Sequence, residues 1–188
     1  MRTLAITQNI TLDGRIEMLD DWFDGAAQGD AGHEEQLAEN ARQRQRADAL
    51  LVGRRTFEDF RHSWRALADD ATGISDYLDG VRKHVVSSTL DEADLDWAGS
   101  SVLRGDPVAA VQELKARPGG DIVCTGSIRL THTLVAAGVV DEYRLFVYPV
   151  VQGRGQGLFP EGHSASGLRL TEARAFGNGV GYLRYRAG

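Results

Sequence analysis

Four short stretches carry side chains suited to holding a phosphate. They are Gly53-Arg54-Arg55-Thr56, Ser87-Ser88-Thr89, Arg104-Gly105 and Gly126-Ser127-Ile128-Arg129. The guanidinium fork of arginine binds two phosphate oxygens at once, and serine and threonine hydroxyls donate to the same atoms. A glycine at a helix start lets unpaired backbone N–H groups approach an anion, and the helix dipole adds partial positive charge there. Each stretch alone has an ordinary reading. Glycine after a strand is commonly a turn, and an arginine pair is commonly a solvated surface. The repetition points to a site, because each stretch directly follows a segment that reads as a strand. Ligands of open α/β sheets bind beyond the carboxyl ends of the strands, so a nucleotide cofactor lying along one edge of the sheet is expected. No GxGxxG follows the first strand and no GxxxxGKS/T occurs, so a dinucleotide has to be held by another arrangement.

Other chemistries find less support. His33, His62, His84, His132 and His163 show neither HxxxH nor HExxH spacing, so no metal site is expected. The single cysteine, Cys124, sits within an apolar run and reads as an inert core thiol. Alone, it excludes an intrachain disulfide and fits a reducing cytoplasm. Ser127 lacks the GxSxG elbow of an α/β-hydrolase. Arg42, Arg44 and Arg46 alternate with Gln43 and Gln45, a spacing that spreads around a helix and reads as solvated surface.

The elements that must position these residues follow from periodicity and turn chemistry. Thr3 to Ile10 alternates as a first strand, followed by the Asp13-Gly14 turn. Residues 17–32 are acidic and aperiodic apart from Trp22 and Phe23, and read as a long loop. His33 to Arg46 is rich in strong helix formers. Buried strands are predicted at Ala49–Gly53, His84–Ser87, Ser101–Leu103 and Asp121–Thr125, with short helices at Thr56–Phe60 and Ser75–Gly80. Asp106-Pro107 opens a helix with a good N-cap and a good first residue. Ile128–Ala137 forms another, stopped at Gly138. A long apolar strand, Glu142–Val151, precedes two strands over Leu168–Tyr185, folded around Gly177-Asn178-Gly179. Strand–helix alternation ending in a hairpin predicts one α/β domain over residues 1–188, with a mainly parallel sheet and an antiparallel edge. An apolar content of 42% excludes extensive disorder. The formal charge of −6 argues against a nucleic-acid partner bound through a broad surface field. No apolar run is long enough for a signal peptide or a bilayer span, so a cytoplasmic protein without a membrane partner is expected.

Several of these segments resemble one known family. Leu51 through Phe57 resembles the hydrophobic-Gly-Arg-x-Thr-aromatic motif of dihydrofolate reductases. Lys83 through Ser88 resembles the strand that follows it, and Asp121 through Ser127 the strand leading to their Gly-Gly turn. Within that superfamily the chain is more similar to the RibD C-terminal domain type. Thr11-Leu12-Asp13-Gly14 follows the first strand, Asp21-Trp22 comes soon after, and Pro149-Val150-Val151 is followed by Gly153, Gly155, Leu158 and Phe159. The resemblance runs in order through nearly the whole chain. It implies a dihydrofolate-reductase-like fold, with a mixed sheet of about eight strands flanked by helices. It also implies an NADPH-dependent reductase and a homodimer. By position, Gly53, Arg54, Arg55 and Thr56 would take the adenosine 2′-phosphate and pyrophosphate. Ser87 and Ser88 would take the same phosphate region, with Arg104 beside the adenine ribose. Gly126, Ser127, Ile128 and Arg129 would wrap the pyrophosphate at a helix start. Gly126-Ser127 stands here where the family shows Gly-Gly.

Hydride transfer also needs a proton source or a polarising group. Asp13 is the predicted catalytic residue, although an aspartate before glycine also serves as a plain turn residue. Asn9 and Thr11 on the first strand are predicted substrate contacts. Trp22, with Phe23, would stack on a flat ring. The resemblance places a substrate-binding carboxylate on the helix 33–46, where Glu34, Glu35 and Glu39 are available and Glu35 is favoured. The Gly153–Gly157 loop reads as a substrate lid, a wall beside the nicotinamide or a connector. The expected acceptor is a small heterocycle, either a ribosylaminopyrimidine phosphate such as 5-amino-6-(5-phosphoribosylamino)uracil or a pterin. The alternatives are a dihydrofolate reductase, a nucleotide-binding dimer module without turnover, and a protein-interaction domain.

Overall fold

The apolar runs read from the sequence become strands in a computed structural model, which describes residues 1–19, 31–64, 70 and 72–188. They are β1 (Leu4–Thr11), β2 (Ala47–Gly53), β3 (Arg82–Val86), β4 (Ser100–Leu103), β5 (Asp121–Cys124), β6 (Glu142–Tyr148), β7 (Arg169–Ala175) and β8 (Gly181–Arg186). One sheet contains all eight, in the order β4-β3-β2-β5-β1-β6-β8-β7. The first six run parallel, as long crossovers between successive strands require. The β7–β8 hairpin closes the β6 side in antiparallel register. Helices α1 (Ala31–Arg46), α2 (Arg54–Trp64), α3 (Ile74–Gly80), α4 (Pro107–Ala116) and α5 (Ile128–Ala136) flank this single α/β domain.

Period-two alternation gives the sheet two apolar faces. Leu4 and Ile6 of β1, Leu51 of β2 and Ile122 of β5 pack against Val111 of α4 and Leu134 of α5. Leu50 and Val52 of β2 turn the other way, onto Phe57 of α2, Leu78 of α3 and Trp97. Asp106 caps α4 as predicted, accepting the N–H groups of Val108 and Ala109 ahead of Pro107.

Several predicted boundaries move: α1 begins at Ala31 rather than His33, β2 at Ala47 rather than Ala49, and β6 ends at Tyr148 rather than Val151. Helix α2 starts at Arg54 and ends at Trp64, not at Thr56 and Phe60, so both arginines lie inside its first turn. Strand β3 starts at Arg82 and takes in Lys83, which is fully buried. The Lys83 ammonium donates to the carbonyls of Leu78 and Val81 and lies 4.8 Å from the centre of the Trp97 ring. The expected solvated surface holds at Arg42, Gln45 and Arg46, which are exposed, and is corrected at Gln43, which lies on a polar face of α1 buried against the sheet. Gln36, Glu39 and Gln43 are buried. Gln36 donates to the Tyr148 hydroxyl at 2.7 Å, and Gln43 donates to Tyr182 while accepting from Thr7. A helix with so few apolar residues docks through satisfied buried hydrogen bonds. No helix among the described residues is long and apolar enough to cross a membrane.

Candidate active site

Strands β2 and β5 are neighbours, so their carboxyl ends and the helices that follow them meet. The Gly53 N–H donates to the Ser127 hydroxyl at 2.8 Å, and the Ser127 N–H donates to the Thr56 hydroxyl at 3.0 Å. Strand β1 joins through Gln8, whose amide donates to the Gly126 carbonyl at 2.9 Å and accepts the Gly126 N–H at 3.3 Å. Gly53, Thr56, Gly126 and Ser127, predicted from separate segments, therefore form one hydrogen-bonded junction. Gly126 has φ 58° and Ser127 φ 47°, both left-handed. Ser127 is the single non-glycine with positive φ among the described residues, a conformation that stores strain. A Cβ on Gly126 would stand 2.9 Å from the Thr56 methyl, so glycine is what lets α2 and α5 start this close together.

The charges at this junction are unusual. The first turn of α2 holds Arg54 and Arg55, the start of α5 holds Arg129, and neither first turn contains an acid. Cations at a helix N-terminus oppose the dipole. Arg54 has only Glu58, at 3.7 Å, and Arg55 forms no ion pair among the described residues. All three arginines are exposed. The arrangement disfavours the empty protein and suits an anion. Further along the edge, the Ser87 hydroxyl accepts the N–H groups of Thr89 and Leu90, and Arg104 donates to the Leu90 carbonyl at 2.7 Å. These contacts set the turn beyond β3 beside the end of β4. Ser88 is exposed there.

The predicted substrate residues separate. The Asp13 carboxylate accepts the Thr11 hydroxyl at 2.6 Å and the N–H groups of Gln152 and Gly153 at 3.0 and 2.8 Å. The Thr11 hydrogen bond, followed by these two backbone donors, holds the carboxyl well below its usual range. Thr11 is buried, and its hydroxyl also accepts the Arg15 N–H, so it belongs to this turn. Arg15 donates to the Gly155 carbonyl and Glu17 accepts the Gln156 N–H. The 153–157 loop is thus a pinned wall beside the end of β1. Asn9 is half-buried, on the strand face shared with Thr7 and Thr11. Glu34 and Glu35 are exposed. Glu35 accepts the Gly177 N–H of the β7–β8 turn at 3.1 Å, while buried Glu39 is shared by Arg42 and Arg174. None of these acids is a buried, uncommitted carboxylate. Asp21, Trp22 and Phe23 lie outside the described residues. Burial pushes the Cys124 thiol up to about 12, which fits an inert core thiol.

Gln8 was not among the predicted residues, although a signal existed. Alternation places it on the same face as Leu4, Ile6 and Ile10, and a polar residue at a buried strand position must have partners. Gln36 and Tyr148 gave no such signal.

A family model described as the RibD C-terminal domain matches residues 2–182. The Bacillus subtilis (strain 168) protein YyaP is 29% identical over 188 residues, covering 98% of this chain and 94% of its own. YwjB of the same strain is 26% identical over 175 residues, covering 91% and 90%. Among solved structures, a protein described as one of riboflavin biosynthesis from Shewanella sp. PV-4 has a TM-score of 0.73 at 18% identity, with 99% of each chain covered. A pyrimidine reductase-like protein from Corynebacterium diphtheriae has a TM-score of 0.64 at 14% identity, covering 98% of this chain and 91% of that one. RibD of Acinetobacter baumannii also scores 0.64 at 14% identity, and this chain spans 58% of it.

Proposed function

The chain belongs to the RibD C-terminal domain family, a family of reductases, and from that premise we propose that it is an NADPH-dependent reductase of a small heterocyclic substrate. The observation that carries the reading is the meeting of two acid-free, arginine-bearing helix N-termini beyond β2 and β5. The residues present fit a dinucleotide. Glycine at Gly126 lets the two helix starts approach each other, and the first N–H groups within α5 have no intrahelical partner. Arg54, Arg55 and Thr56 would hold the 2′-phosphate and pyrophosphate, with Ser87 and Ser88 in the same phosphate region, Arg104 beside the adenine ribose, and Gly126 through Arg129 around the pyrophosphate. NADPH, when bound, supplies the hydride. The chain's own residues bind and orient: Gln8 fixes the Gly126 peptide, and Asp13 fixes the wall formed by residues 152–157.

The acceptor favoured is an aminopyrimidine rather than a folate. A folate-type reading needs a buried, uncommitted carboxylate on α1. Glu34 and Glu35 are exposed, and Glu39 is neutralised between two arginines. The same reading carries a cytoplasmic homodimer, whose mass light scattering would measure.

Parallel calorimetric titrations with NADPH and NADH test the proposal, using the wild type and Arg55→Ala. NADPH is expected to bind at least ~10-fold tighter, about 1.4 kcal/mol, and the substitution to remove that preference. If neither nucleotide binds the wild type, the reductase reading falls. Turnover with dihydrofolate but not with a ribosylaminopyrimidine phosphate would overturn the choice of acceptor.

A further inference from the structure

Away from the strand carboxyl ends, a cleft of about 270 Å3 opens between the C-terminal half of α1 and the β6–β8–β7 side of the sheet. Arg144 of β6 lines it and is 0% exposed. Its Nε donates to Glu142 and its Nη2 to Asp121, both at 2.6 Å, while Nη1 has no hydrogen-bond partner. A buried, unpaired guanidinium nitrogen is costly, and an unused charged donor is a common mark of a missing acceptor.

The neighbours sharpen this. Arg184 of β8 lies directly opposite Arg144 in register, and like charges placed so are destabilising. Helix α1 brings Arg42 and Arg46 to the same cleft, and like charges four residues apart on a helix also repel. The carboxylates are all shared. Glu39 serves Arg42 and Arg174, and Asp121 serves Arg46 and Arg144. Glu172 serves Arg174 and Arg184, and Glu142 serves Arg144 and Arg186. Six guanidiniums thus meet four carboxylates, leaving two positive charges in excess. Tyr182, fully buried at the cleft, accepts from Gln43.

We infer that this cleft is a binding site for a dianionic phosphate, held by Arg42, Arg46 and Arg184 around the rim, over the buried charge of Arg144. The charge excess matches a dianion. The rim guanidiniums match its oxygens. The site is separate from the crevice beyond β2 and β5 and does not depend on the reductase reading. Inorganic phosphate and a phosphomonoester share this chemistry.

An amide NMR titration tests it, with sodium phosphate added to the protein at constant ionic strength maintained with chloride. Saturable shifts are expected at Gln43, Arg144 and Arg184. They should persist in the R54Q/R55Q variant, which disables the crevice, and weaken at least ~10-fold in R42Q/R46Q. Both rim positions are about half exposed, at 57% and 47%, and R42Q alone serves if the double variant loses its native spectrum. Shifts that do not saturate, shifts confined to residues 53–56 and 126–129, or unchanged binding in the rim variants would overturn the proposal. A parallel titration with glycerol phosphate separates the two sources: tighter binding than inorganic phosphate assigns a phosphomonoester, and weaker binding assigns the free ion.

Discussion

The Ser127 hydroxyl accepts the Gly53 N–H at 2.8 Å, tying the last residue of β2 to the residue that precedes α5. The Thr56 hydroxyl returns the link by accepting the Ser127 N–H. This reciprocal pair sets the separation of two helix N-termini. Ser127→Ala strands the Gly53 N–H, so a loss of about 1–2 kcal/mol is expected. Ser127→Gly breaks the same bond but relieves the strain at φ 47°, recovering about 1 kcal/mol. Denaturant unfolding should therefore order the proteins wild type, then glycine, then alanine. An alanine variant as stable as wild type would show that the bond contributes nothing.

Gly126→Ala probes the same junction from the steric side. The added methyl would meet Thr56 Cγ2 at 2.9 Å, at φ 58°. Thr56 cannot turn away without giving up its bond to Ser127. A loss of about 1–3 kcal/mol is expected, together with weaker NADPH binding. Thr56→Ser removes the offending methyl and keeps the hydroxyl, so the double variant should recover part of the stability. No recovery would place the whole cost in the backbone conformation.

The ends of β2, β3 and β4 were legible because each apolar run gives way to glycine or polar residues, as at Gly53, Ser87 and Arg104. What pattern reading misses is charge buried with its partners. Lys83 and Arg144 look like surface residues in sequence, yet both are fully buried. Their partners are two carbonyls for Lys83, and Asp121 and Glu142 for Arg144. Only long-range packing brings Asp121 to Arg144, so no local window contains the signal. The placement of Glu35, exposed and accepting the Gly177 N–H, was hidden for a related reason. The helix was legible, but not which of its faces meets the Gly177 turn.

At Arg55 the proposed cofactor role would set function against stability. It lies in the first turn of α2 with no ion pair among the described residues, where its charge opposes the helix dipole. Arg55→Glu puts the favourable sign there and should stabilise the apoprotein by about 0.3–1 kcal/mol at low salt, raising Tm by roughly 1–3 °C. The same change should greatly weaken NADPH binding. Opposite signs in the thermal scan and the titration are the expected signature. A lower Tm with unchanged affinity would sink the idea that the arginine is kept for an anion.

Asp13 is the place where chemistry and architecture can be told apart by pH. Its hydrogen bond from Thr11, then those from Gln152 and Gly153, depress its folded pKa below the ordinary ~3.9. A depressed carboxylate contributes stability that is present above the unfolded pKa and lost as pH falls through the folded value. The latch on residues 152–153 should therefore hold at pH ~4 and loosen only in stronger acid, which carboxyl NMR titration would show as a midpoint below that of a free aspartate. Across the neutral range Asp13 then carries no proton to donate. Asp13→Asn loses charge-assisted acceptance and slackens the wall beside β1. We expect kcat/KM to fall while the pH–rate profile keeps its shape. If the substitution instead erases one limb of that profile, Asp13 moves a proton in the reaction and is more than an anchor.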